Sequence, residues 1–277
     1  MNVTIIYFSQ TGNTRKVAEA MAKAFCEVGH VTSTIPLKKA TPQDTAACEL
    51  IGVGTPCFSS QAPTPIKAFL STLPQLNNHR GFVFATSGGA PGRVLSDLSG
   101  LLQSKGADVI GGFLCHGEVR HPAPCLIGRL PNRPNAEDLA RARRFALAVA
   151  EHVSAGRSGP VAESRPDTFM PKEKFYNLVA SLSTAGFLRL VLPEPAPNWA
   201  RCNQCNWCVH ECPVHNITLQ PYPVLGYRCI RCYRCLTGCP QKAFVADWKL
   251  GNLAILSFYS ETFIRWFGDL NPGERIY

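Results

Sequence analysis

The sequence predicts an α/β fold, a doubly wound five-stranded parallel sheet, joined to a small cysteine-rich α+β unit. Three observations carry that expectation. Short runs rich in β-branched and aromatic residues alternate with helical patterns through the first half of the chain. A polar, glycine-containing loop directly follows the first of those runs. The pattern C-x2-C-x2-C-x3-C-P then occurs twice, in RCNQCNWCVHECP at 201–213 and in RCIRCYRCLTGCP at 228–240.

The strands, in order, are VTIIYF (3–8), VTSTIPL (31–37), LIGVG (50–54), GFVFAT (81–86) and DVIGGFLC (108–115). Between them, TRKVAEAMAKAFCEVG (14–29) and PGRVLSDLSGLLQSKG (91–106) repeat apolar residues at helical spacing and stop at glycine. A last helix, AEDLARARRFALAVAEHV (136–153), closes a domain drawn as 1–155. A sheet of this kind puts a ligand beyond the carboxyl ends of its strands. Residues 156–200 read as a linker with Pro and Gly at both ends and an apolar helix at 173–191. The cysteine domain is drawn as 201–248, and 249–277 as an amphipathic helix and tail.

With 277 residues and 45% of them apolar, the chain can build real cores. Its formal charge of +9 is spread out, with 15 basic against 10 acidic residues over 1–155 giving +5. No Lys/Arg-rich run accompanies that excess, so an acidic redox partner protein is expected and nucleic acid is not. The N-terminus lacks a basic export region. The longest apolar stretch, LVASLSTAGFLRLVL (178–192), is shorter than a membrane span of ~20 residues and carries Arg189, so no transmembrane segment is expected. A cytoplasmic location suits the thiols. Of the 13 cysteines, only Cys26, Cys48, Cys57, Cys115 and Cys125 fall outside the two blocks, a metal-site distribution rather than a disulfide framework.

An iron-sulfur cube takes four soft thiolates, and C-x2-C-x2-C winds the backbone tightly enough for three of them to converge. Zinc is the alternative, but it favours C-x2-C pairs separated by a spacer, unlike three evenly spaced cysteines followed by C-P. The segment resembles bacterial-type ferredoxins with two 4Fe-4S clusters, over roughly 50 residues. That resemblance implies crossed ligation: Cys202, Cys205, Cys208 and Cys239 for the first cluster, and Cys229, Cys232, Cys235 and Cys212 for the second. Trp207 and Tyr233 are expected beside the clusters. Arg228, Arg231 and Arg234 interleave the second block and are expected to present positive charge to the partner.

The loop SQTGNT comprises Ser9, Gln10, Thr11, Gly12, Asn13 and Thr14. Free N–H groups and the helix dipole at that position would receive a phosphate. It matches neither dinucleotide nor nucleoside-triphosphate loops, and a plain helix cap is the alternative. With GTPCFSSQAPTPIKAFL after the third strand and ATSGGAPGR after the fourth, the first 150 or so residues resemble flavodoxins. The resemblance implies FMN, its phosphate on residues 9–14, and its ring flanked by Thr55, Pro56, Cys57, Phe58, Ser59, Thr86, Ser87, Gly88 and Gly89.

Two departures stand out. Phe58 is the only aromatic in these ring loops, and TPCFSS has no glycine to accept positive φ without strain. The segment after the fifth strand, with Cys115, His116, His121 and Cys125, is expected to cover the flavin edge; a zinc group is its alternative. The whole chain resembles flavodoxin-ferredoxin fusion proteins. That implies electron transfer between a partner, two 4Fe-4S clusters and FMN. The alternative is an FMN-dependent reductase of a small substrate, with the clusters as electron entrance and His116 or His121 as proton donor.

Overall fold

The five β-branched runs become β1 (Asn2–Tyr7), β2 (Val31–Pro36), β3 (Leu50–Pro56), β4 (Arg80–Ser87) and β5 (Asp108–His116). The computed structural model of the chain describes residues 1–89, 91–161, 181 and 184–258. The sheet order is β2-β1-β3-β4-β5 with every neighbouring pair parallel. The chain therefore reverses its direction of winding between β1 and β3, and the crevice at their carboxyl ends is the natural ligand position. The interior strands β1, β3 and β4 and the edge strand β5 are largely buried, as their nearly continuous apolar runs require, whereas the other edge strand, β2, is more open.

Helices cover both faces. On one side α1 (Asn13–Glu27) and α4 (Ala136–Ser154) enclose Ile5, Phe25, Phe82, Phe84, Phe113 and Phe145. On the other, α2 (Thr64–Thr72) and α3 (Val94–Ser104) pack on Ile51, Val53, Val83 and Ala85. Gly52 and Gly54 of β3 are required here, because a Cβ at either would land inside the Phe82 or Phe84 ring of β4. Helix α2 was not expected. Its signal was Pro65, since proline suits the first turn of a helix.

The described residues fall into two compact units, 1–118 with 130–161, and 119–129 with 181 and 184–258. In the second unit the elements are α5 (Ala185–Val191), β6 (Ala196–Pro197), α6 (Trp207–Glu211), β7 (Ile217–Leu219), β8 (Pro223–Leu225), α7 (Arg234–Gly238), β9 (Phe244–Val245) and α8 (Lys249–Phe258). Strands β6 and β9 pair antiparallel, as do β7 and β8. The rest of the helix expected at 173–191, and the tail beyond 258, lie outside the described residues.

The second unit repeats itself every 27 residues, since 229 − 202 = 239 − 212 = 27. The backbone obeys the same shift. Left-handed residues Gln204, Asn206 and His215 recur as Arg231, Tyr233 and Lys242. Short helices holding Cys208 and Cys235 recur likewise. Among the described residues no helix is long and apolar enough to cross a membrane.

Candidate functional sites

After β1 the chain turns through residues 9–14 into α1. Gly12 is the N-cap, at φ +95°, with no atom within 4 Å of the place a Cβ would take. A glycine cap supplies no side-chain acceptor, and Ser9 Oγ accepts from Arg15 N only at a long 3.4 Å. The first turn of a 15-residue helix thus presents N–H groups that an anion can satisfy. Gln10 Nε2 is buried with no partner, a polar atom that a ligand would relieve. Thr14 and Thr86 share a hydroxyl-hydroxyl bond of 2.8 Å in the interior, tying this loop to the end of β4. Asn13 Nδ2 donates to the Glu118 carbonyl at 3.0 Å and ties it to the chain leaving β5.

The loops after β3 and β4 are joined as firmly. Cys57 N donates to Thr86 O, and Arg93 N to Ser60 O, both at 2.8 Å. Phe58 and Gln61 exchange backbone bonds of 3.0 and 3.1 Å around Ser59 and Ser60, at φ +48° and +64°. Missing glycine therefore does not forbid positive φ in this loop. Two serines adopt it in a primed turn, at a cost of about 1 kcal/mol or more each. Asp97 of α3 holds the following segment, accepting from Ala62 N at 3.1 Å and pairing with Arg93 at 2.8 Å.

Among the expected ring contacts, Phe58 meets Phe8 edge-on at 6.1 Å. Thr55 is buried and donates to Pro56 O, while Ser87 Oγ accepts from Gly89 N at 3.2 Å. Cys57 donates to Pro91 O, and burial pushes its thiol up to about 12.

A family model described as a flavodoxin domain matches residues 4–152. The chain belongs to that family. Solved structures that resemble the flavodoxin domain include an archaeal flavodoxin, 19% identical at TM-score 0.45, covering 56% of this chain and 99% of that one. A flavodoxin of Streptococcus pneumoniae is 18% identical at TM-score 0.43, covering 54% and 99%. Rubredoxin oxygen:oxidoreductase of Desulfovibrio gigas is 19% identical at TM-score 0.47, covering 56% of this chain and 36% of its own. No curated protein matches the chain. Membership in the flavodoxin domain family implies FMN, and the residues fit it. The bare helix terminus at Gly12 and the unpartnered Gln10 amide suit its phosphate end, and the clasped loops after β3 and β4 border the crevice for its ring.

In the second unit, Cys202, Cys205, Cys208 and Cys239 line one cavity with Trp207 and Phe244. Burial raises Cys208, and the neighbouring Cys239 and Cys202 raise it further. Cys235 is raised by burial and then by Cys232, Cys229 and Cys212. Cys239 thus shares a cavity with the trio of the first block, and Cys212 lies within electrostatic reach of Cys235. Backbone N–H groups point at three of the sulfurs: Gln204 N at Cys202 (3.4 Å), Asn216 N at Cys212 (3.3 Å) and Ala243 N at Cys239 (3.4 Å). Among the described residues no three His, Cys, Asp or Glu side chains converge on a single metal ion.

The segment expected over the flavin edge divides. Cys115 lies in the core of the first unit, whereas residues 119–129 belong to the second. There His121 packs edge-on against Tyr233 at 5.1 Å and Trp248 at 5.2 Å, and burial lowers it to about 4. Of the four residues of the alternative zinc group, Cys115 and His116 thus fall in the first unit and His121 and Cys125 in the second.

The three arginines also separate. Arg228 is exposed, Arg231 is buried and paired with Glu194, and Arg234 pairs with Glu211 while lying over Trp207 at 4.9 Å. Interleaving basic residues look like a surface stripe in sequence. Here their left-handed and helical positions send them in different directions.

Proposed function

We propose that the chain is an electron carrier, in which the flavodoxin domain holds FMN and the second unit is a ferredoxin-like module holding two 4Fe-4S clusters. The observation that carries the cluster reading is the grouping of four cysteines around one cavity with Cys239 drawn from the opposite block. FMN exchanges one or two electrons and each cluster one, so the chain could match a one-electron partner to a two-electron step. Tethering the groups on one chain replaces a second diffusional encounter by a high effective concentration.

The chain's own residues then have distinct tasks. The α1 terminus at Gly12 binds the phosphate, and the turn at Ser59 and Ser60 borders the ring. The eight block cysteines ligate the clusters, 202, 205, 208 and 239 for one and 229, 232, 235 and 212 for the other. Arg201, Arg228 and Lys242, exposed beside ligand positions, offer positive charge to an acidic redox partner. A reducing, cytoplasmic setting fits 13 unbridged cysteines. Of the two proton donors named for the reductase alternative, His121 is held neutral by burial in the second unit, which leaves His116.

Stopped-flow mixing with a reduced acidic ferredoxin under anaerobic conditions tests the carrier reading. Iron-sulfur bleaching before flavin bleaching is expected, slowed in Arg201→Glu/Lys242→Glu and by salt. Turnover of a small substrate with no acceptor protein present would overturn it.

A further inference from the structure

Arg231 lies between Cys229 and Cys232 at φ +53°, with only 8% of its surface exposed. Its Nη2 donates to Glu194 at 3.3 Å, while Nε and Nη1 are buried without an oxygen or nitrogen partner. Burial works against its charge, and Glu194 together with the adjacent Cys229 sulfur sustains it. The Cys229 carbonyl is occupied by Arg189 Nε at 3.0 Å, so a second guanidinium faces the same turn. At the equivalent place in the first block, 231 − 27 = 204, stands Gln204, neutral and exposed.

A buried cation set against the Cys229 sulfur, with Nε and Nη1 short of an oxygen or nitrogen partner, is what an anionic body held by that cysteine would satisfy. Such a body gains one negative charge when it takes an electron. A fixed positive charge in a poorly screened setting favours the state with more negative charge.

We propose that Arg231 raises the reduction potential of the second cluster above that of the first, biasing one electron to leave the first as one enters the second. The inference rests on the cluster reading above. Glu194, 58% exposed, moderates the effect by partly neutralising the guanidinium.

The test is an EPR-monitored redox titration of the full anaerobic chain, with iron counted in each sample. Arg231→Met should lower the second cluster's midpoint by about 59 mV, a tenfold fall in its reduced-to-oxidised ratio at fixed potential, and leave the first unchanged. Arg231→Lys should fall between. Glu194→Gln should move the same midpoint upward, and this variant decides the matter if Arg231→Met loses its second cluster. Eight irons with unmoved or equally shifted midpoints would overturn the role of Arg231 alone. A chain without iron would overturn the cluster reading and the inference with it.

Discussion

Asn206 sits at φ +60° with its side chain in solvent, whereas its counterpart Tyr233 sits at φ +55° with 1% of its surface exposed. The same contrast runs along the blocks. Cys205 is exposed and flanked by the exposed Asn203 and Gln204, while the second block is closed over by Pro193, Glu194, His121 and Trp248. One backbone, used twice, thus yields an open site and a covered one. The cover comes from segments that have no counterpart in the repeat, namely 119–129 and the elements flanking the cysteine run. Spacing decides which cysteines converge, and the added segments decide what surrounds them. An open site suits exchange with a partner, and a covered one suits a controlled potential.

The largest expected effect breaks the symmetry of ligation. Cys212→Ala, in the first block, should abolish the EPR signal of the cluster held by Cys229, Cys232 and Cys235, and Cys239→Ala that of the other. Loss of each block's own cluster would refute crossing.

Next in size is the pair of left-handed residues. Tyr233→Gly relieves backbone strain but removes a buried ring whose hydroxyl donates to Pro193 O at 2.7 Å, so a net loss of roughly 3 kcal/mol is expected in chemical unfolding. Asn206→Gly has only strain to lose and should stabilise by at most about 1 kcal/mol. Equal effects at the two sites would erase the difference in cover.

The cover should also respond to acid. His121 folds neutral with its pKa near 4, below the ordinary 6.5, so the unfolded chain binds its proton more readily. Stability present above pH 6.5 is therefore lost as pH falls toward 4, by roughly 3 kcal/mol in all. Its ring neighbours Tyr233 and Trp248 carry no charge in that window. His121→Phe should flatten the pH profile of unfolding between those limits, and an unchanged slope would assign the acid sensitivity elsewhere.

Much of this was legible in the sequence because strands buried on both faces must be continuously apolar. The five sheet runs were read within one or two residues at most ends. Helix α2 was missed because SSQAPTP reads as loop until Pro65 is taken as a first-turn residue. Ser59 and Ser60 carry no local signal for positive φ; their conformation is imposed by Arg93 N and the partner bonds of Phe58 and Gln61. The burial of Arg231 was equally invisible, since it depends on Glu194, 37 residues away in the chain. Long-range packing, not local pattern, separates the two blocks.

Metal, acid-labile sulfide and flavin analysis of the full chain purified without oxygen tests the central claim most directly. The account predicts about eight irons, about eight sulfides and one FMN per chain, with two EPR-distinct clusters on reduction. Zinc in place of iron, or one cluster's worth of iron, would contradict it.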